Sequence, residues 1–159
     1  CFIGFSMSAF SIWVDADSCP ALVRDLIIRF SKRLSLDCFF VANRQISIPK
    51  ASNFKMIITE ATKDAADNYI VENASKSDIV ITRDILLAER LLEKEVTTIN
   101  DRGFSFTKEN IKEKLSMRNF NLELFECGLI GEKTSNFGKK ELNDFANCFD
   151  REIQKKLKN

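Results

Sequence analysis

Carboxylates are the residues best placed to do chemistry in this chain. In SIWVDADSCP (11–20) an apolar run ends at Asp15 and Asp17, KDAADNY (63–69) carries Asp64 and Asp67 three positions apart, and IVITRD (79–84) ends at Asp84. The chain contains no histidine, which excludes Ser-His and Cys-His nucleophile pairs, histidine zinc sites and an imidazole base. Hydrolysis would have to run on carboxylates, on lysines, or on a metal held by carboxylates. Acids gathered in a low dielectric repel one another, and a divalent cation among them resolves the conflict. Oxygen-only ligands favour Mg2+ or Mn2+ over zinc, and such a cation suits phosphoryl or phosphodiester hydrolysis. Asn43, Arg44, Lys63, Thr82, Arg83 and Arg102 lie near the acids in sequence and are the candidates for holding phosphate groups.

The elements that must position these residues follow from hydrophobic periodicity. Short β-branched or aromatic runs alternate with helical periods, the pattern of crossover units and a mainly parallel sheet. The strands are expected at SIWV (11–14), CFFVA (38–42), KMIIT (55–59), IVIT (79–82) and VTTIN (96–100), with the second and third buried on both faces. From Pro20, Leu22, Val23, Leu26, Ile27, Phe30 and Leu34 fall on one helical stripe, with Ser18 as its expected cap. Further helices are expected over 63–75, over 85–95, after Thr107 with a separate NLELFEC segment ending at Gly128, and over 139–157. A loop, GLIGEKTSNFG, separates the last two. The fold class is therefore three-layer α/β: a parallel sheet of about five strands flanked by helices, one domain over residues 7–159, with residues 1–6 read as an extension ahead of it.

In an open parallel sheet, ligands bind outside the carboxyl ends of the strands. Sorting by that rule gathers Asp15, Asp17, Asn43, Arg44, Asp64, Asp67, Arg83, Asp84, Asp101 and Arg102 on one edge. Asp78, at the start of its strand, falls on the opposite edge and receives no catalytic role. Taken singly, Asp17 can be a helix-entry residue, and Asp64 and Asp67 can simply complement a helix dipole. Convergence of three acidic elements is what argues for a site.

Bulk properties narrow the partners. With 24 Lys+Arg against 23 Asp+Glu there is no global basic field, so phosphate would be recognised locally or through a metal. The five cysteines are scattered without a C-x-x-C pair and read as reduced packing thiols of a cytoplasmic protein. The apolar opening lacks a basic flank and is read neither as a signal peptide nor as a membrane span.

In order and spacing, VDADSCP, FVANR, DAAD, DIVITRDILLA, DRGFSFTKENI and the terminal FDREI resemble the bacterial YaiI/YqxD family, also called UPF0178 or DUF188, from about residue 11 to near the C-terminus. That family is grouped with PIN-like folds, whose better-known members are Mg2+/Mn2+ ribonucleases. The resemblance implies metal ligands at Asp15, at one or both of Asp64 and Asp67, and at Asp84, with Asp17 as the family's own addition. This chain departs from the family pattern with Ser18 for Ala, Leu86 for Pro, Asp101 for Pro, no Gly near Thr62, and GEKTS for a Gly-Gly-Pro-like loop.

Three functions compete. The first is a Mg2+- or Mn2+-dependent nuclease acting on RNA or another phosphate-containing ligand. The second is an aspartyl-phosphate phosphatase, with Asp15 as nucleophile, Asp17 as acid/base and Thr82 binding phosphate. The third is a metal-, phosphate- or RNA-binding module without turnover.

Overall fold

The computed structural model describes residues 10–62, 64–129 and 137–158. Lys63, residues 1–6 and most of the GLIGEKTSNFG loop, on which sequence expectations fall, lie outside the described residues. The elements are β1 (Ser11–Asp15), α1 (Ala21–Leu34), β2 (Asp37–Ala42), β3 (Phe54–Ile58), α2 (Ala65–Asn73), β4 (Ile79–Ile81), α3 (Ile85–Glu93), β5 (Thr97–Ile99), α4 (Ile111–Glu126) and α5 (Lys139–Leu157). All five strands are parallel, in the order β3-β2-β1-β4-β5.

Side chains alternate across a strand, and the two faces of this sheet accordingly bury different sets. Ile12, Val14, Ile79, Ile81 and Ile99 pack with Val23 and Ile27 of α1 and Phe145, Phe149 and Ile153 of α5. Trp13, Val41 and Val80 pack on the other face with Ile70 of α2 and Leu87 and Leu91 of α3. The result is the three-layer α/β architecture that the alternating pattern implies. Among the described residues no helix is long and apolar enough to cross a membrane.

Several local expectations are corrected. Ser18 does not cap α1: Pro20 holds the N-cap position without a side-chain bond, and the Ser18 hydroxyl donates to Asp15 Oδ2 at 3.4 Å. Leu22 is 51% exposed because it falls on the solvent side of α1, whose buried residues are Val23, Ile27 and Ser31. β3 is an edge strand and is buried fully only at Phe54, so its apolar run does not mark burial on both faces. The segment after Thr107 forms one continuous helix, α4. Its entry is fixed by a reciprocal pair in which Thr107 N donates to Asn110 Oδ1 and Asn110 N donates to Thr107 Oγ1, the logic of a capping box.

The turn after β5 is tightly specified. Gly103 has φ +95°, and a Cβ there would stand 2.3 Å from the Asp144 backbone of α5. Only glycine meets both conditions. The turn folds back so that Asn100 N donates to Phe104 O at 2.8 Å, which anchors the neighbouring Asp101.

Candidate functional site at the carboxyl edge

Strand register explains which residues meet. Val14 is level with Ile81 and Ile81 with Ile99. One step further along, Asp15 therefore stands beside Thr82, and two steps along Arg83 stands beside Asp101. β1 and β4 are the adjacent strands at which the order reverses, the topological switch point where ligands of open α/β sheets bind. Asp15 is the last residue of β1 and is buried, and Thr82 Oγ1 donates to its Oδ2 at 2.8 Å. The same Thr82 hydroxyl accepts from Asp84 N at 3.0 Å, which ties the start of α3 to the end of β1.

Alternation puts Asp15 on the Trp13 side of the sheet, under α2 and α3. Asp84 is the N-cap of α3, where its Oδ1 accepts from Leu86 N at 2.9 Å and Leu87 N at 3.3 Å. Asp67 lies in the first turn of α2 and is half-buried. That helix is anchored by one fully buried side chain, Ile70, worth about 1.5–3 kcal/mol. Burial pushes Asp67 up to about 7, with help from the charges of Asp84 and Asp15, a hydrogen bond to Asp84, and the charge of Asp64. Burial also raises Asp15; Asp84 and Asp17 add to the rise, while the Thr82 and Ser18 hydroxyls oppose it. Asp15 and Asp67 thus resist ionisation together, with the Asp84 charge adding to the rise of both.

The remaining candidates are distributed around this cluster. Asp64, the N-cap of α2, is exposed and makes no cap bond from its side chain. Asp17 is exposed and accepts from Asn43 N at 3.0 Å, fastening the β1 exit to the β2 exit. Arg44 is exposed, and Arg102 is half-buried. Arg83 is ion-paired: its Nη2 and Nε donate to Asp101 Oδ2 at 2.5 and 3.1 Å. Asp101 is 2% exposed, and its buried Oδ1 has no hydrogen-bond partner among the described residues. Burial foremost, with the Asp101 charge next, pushes the Cys19 thiol up to about 12, which disfavours the nucleophilic thiolate.

Sequence reasoning missed Arg24, in the first turn of α1, which acts on the Cys19 thiol from the same neighbourhood as Arg83. Its signal was available, since any first-turn residue of α1 must lie at the carboxyl edge. Asp78, on the opposite edge, accepts from Ser11 N at 2.9 Å, Trp13 Nε1 at 3.0 Å and Ser75 N at 2.9 Å, a structural junction between β1 and β4.

Fit to a cation rests on the donor set. Asp15, Asp67 and Asp84 offer only oxygen, and their mutual repulsion is what a hard divalent ion would relieve. As they stand, among the described residues no three Asp, Glu, Cys or His side chains converge closely enough to hold a metal ion. Asp15 Oδ2 faces Thr82 and Asp84 Oδ1 faces the α3 backbone, so a shared ion would require these side chains to turn.

Fold and edge together define a parallel α/β protein with a cluster of acidic residues near its switch point. The chain belongs to the YaiI/YqxD family: residues 13–155 match the sequence profile described as "Uncharacterized BCR, YaiI/YqxD family". It is 50% identical over 147 residues to a UPF0178 protein of Treponema denticola, covering 92% of this chain and 94% of that protein. A UPF0178 protein of Treponema pallidum is 45% identical over 93% of this chain and 84% of its own length. For a UPF0178 protein of Syntrophobacter fumaroxidans the identity is 45%, over 92% and 96% respectively. No solved structure matches the chain.

Proposed function

We propose that this protein is a divalent-cation-dependent nuclease that hydrolyses phosphodiester bonds in RNA. The observation that carries the reading is the mutual repulsion of Asp15, Asp67 and Asp84 beside the switch point, which together with burial raises the proton affinity of Asp15 and Asp67. The resemblance to PIN-like ribonucleases supports it by analogy. Asp15, Asp67 and Asp84 would hold Mg2+ or Mn2+, with Asp17 and Asp64 at the margin. A bound cation supplies Lewis-acid polarisation of the phosphate and lowers the pKa of an attacking water.

The chain's own groups supply the rest. Without a cation Thr82 holds Asp15 through the 2.8 Å bond and Asp84 caps α3, and both carboxylates would turn from these partners to share an ion. Asp67, raised to about 7 chiefly by burial, holds its proton more tightly than an ordinary carboxyl, and a cation would compete with that proton for the site. Arg83, Arg44, Arg102 and Asn43 face the substrate backbone, with Lys63 as a further candidate. The aspartyl-phosphate alternative asks the Thr82 hydroxyl to face phosphate. That hydroxyl is engaged with Asp15 and Asp84 N instead, which favours the cation reading.

The test is incubation of purified protein with Mn2+ and with single-stranded and structured RNA, beside Asp15→Asn. Cleavage by the wild type, lost by at least about 100-fold in Asp15→Asn, is the expected result. Absence of cleavage, or cleavage unaffected by the substitution, overturns the reading.

A further inference from the structure

The carboxyl edge separates its charges by sheet face. Asp15, Thr82, Asp67 and Asp84 gather on the α2/α3 side. Arg83 and Asp101 stand one pleat further along β4 and β5, which turns them toward the α1/α5 side, and both act on Cys19, itself packed against the core on that side. Arg24 approaches the same thiol from α1. It is half-buried, and no hydrogen bond or ion pair holds its guanidinium among the described residues. Arg24 and Ser31 are seven residues apart and share a flank of α1; Ser31 faces the Cys38 thiol of β2. Arg24 therefore stands over the β2 side of the β1 end, while Arg83 stands over the β4–β5 side.

We infer that Arg24 and Arg83 form a two-point anion track on the α1 side of the carboxyl edge, across which a single-stranded nucleic-acid backbone lies with phosphates on either side of the β1 end. The inference deepens the nuclease reading and rests on it for the substrate class. It assigns Arg24 a role and commits to an extended phosphodiester chain over a phosphate monoester, because successive phosphates of a backbone give each guanidinium a partner of its own. Asp101 is the positioning residue. Its ion pair with Nε and Nη2 of Arg83 fixes the guanidinium plane and leaves Nη1 for the ligand. An unpaired, half-buried guanidinium such as Arg24 carries a desolvation cost that an arriving phosphate offsets.

The experiment is fluorescence anisotropy of a labelled 12-nucleotide single-stranded RNA, in EDTA to prevent cleavage, over a range of salt concentrations, with competition by a nucleoside 5′-monophosphate. Arg24→Gln is expected to weaken binding several-fold and to reduce the salt slope by about 0.7, the contribution of one phosphate contact on a single strand. Arg24→Lys should keep the slope. Arg29→Gln, exposed further along the same helix, serves as control and should change neither quantity by more than about twofold. The inference is overturned if Arg24→Gln matches the Arg29 control, if the monophosphate competes as well per molecule as the oligonucleotide, or if the RNA does not bind. RNA binding that depends on Arg24 without cleavage under any divalent cation would sink the nuclease reading and leave the track standing. Cleavage that depends on Asp15 with binding indifferent to Arg24 would do the reverse.

Discussion

Asp15 and Asp78 sit at opposite ends of the same pair of strands and are equally buried, each 7% exposed. Their surroundings differ completely. Asp78 accepts three N–H bonds, two from backbone and one from the Trp13 indole, and so joins the loop after α2 to the first residue of β1. Among the described residues Asp15 accepts from two hydroxyls, at 2.8 and 3.4 Å, and faces the charges of Asp84 and Asp17. A carboxylate supplied with N–H donors holds a fold together. One crowded by other carboxylates is an electrostatic cost that the fold carries, and such costs gather at functional sites.

The largest expected effect tests that contrast directly. Asp78→Ala orphans the Trp13 indole and two backbone N–H groups, and should cost about 3 kcal/mol or more by urea unfolding. Asp15→Asn keeps an acceptor for Thr82 and removes a repelled charge, so its stability should stay within about 1 kcal/mol of wild type while cleavage is lost. Equal destabilisation by the two substitutions would break the comparison and make Asp15 another structural junction.

The contrast is partly legible in the sequence alone. Placing Asp15 at one edge and Asp78 at the other needs only the extent of two apolar runs and the parallel-sheet rule. The pairing of Arg83 with Asp101 needs the β1–β4–β5 register, which periodicity does not encode, so Arg83 read as a free phosphate ligand. Asp64 and Asp67 looked equivalent by spacing. Their environments separate them, because Asp64 precedes the first turn of α2 in solvent whereas Asp67 is turned toward Asp84. Leu22 matched the stripe of α1 yet points outward, and the apolar run of β3 ended as an edge strand. In both cases tertiary position outweighed local pattern.

Cation binding should give the next largest effect. If the crowded edge is a cation site, Mn2+ at 100 times its dissociation constant stabilises the protein by about 2.7 kcal/mol, read as a rise in Tm. Asp84→Asn isolates the cause, since asparagine caps a helix as well as aspartate and only the charge is lost. That variant should fold like wild type and lose most of the shift. A shift of wild-type size in Asp84→Asn would place the cation elsewhere, and a wild type indifferent to Mg2+ and Mn2+ would leave the crowding at this edge without its proposed purpose.

The smallest effect is also the most specific. Asp67 is raised from the ordinary carboxylate range to about 7, so between about pH 4 and pH 7 the folded protein holds a proton that the unfolded chain has released. The stability tied to that proton is fully present below the unfolded pKa and is lost as pH rises through the folded one. Asp15, raised as well, acts with the same sign. Without divalent cations, wild-type Tm should therefore fall between pH 5 and pH 7.5 relative to Asp67→Asn, whose amide does not titrate. Saturating Mn2+ should flatten or reverse the difference, because a cation replaces the proton among the carboxylates. Asp78→Asn, measured alongside, should keep the wild-type fall, since it leaves the carboxyl edge untouched. A pH dependence that vanishes in Asp78→Asn and persists in Asp67→Asn would assign the strain to the wrong end of the sheet.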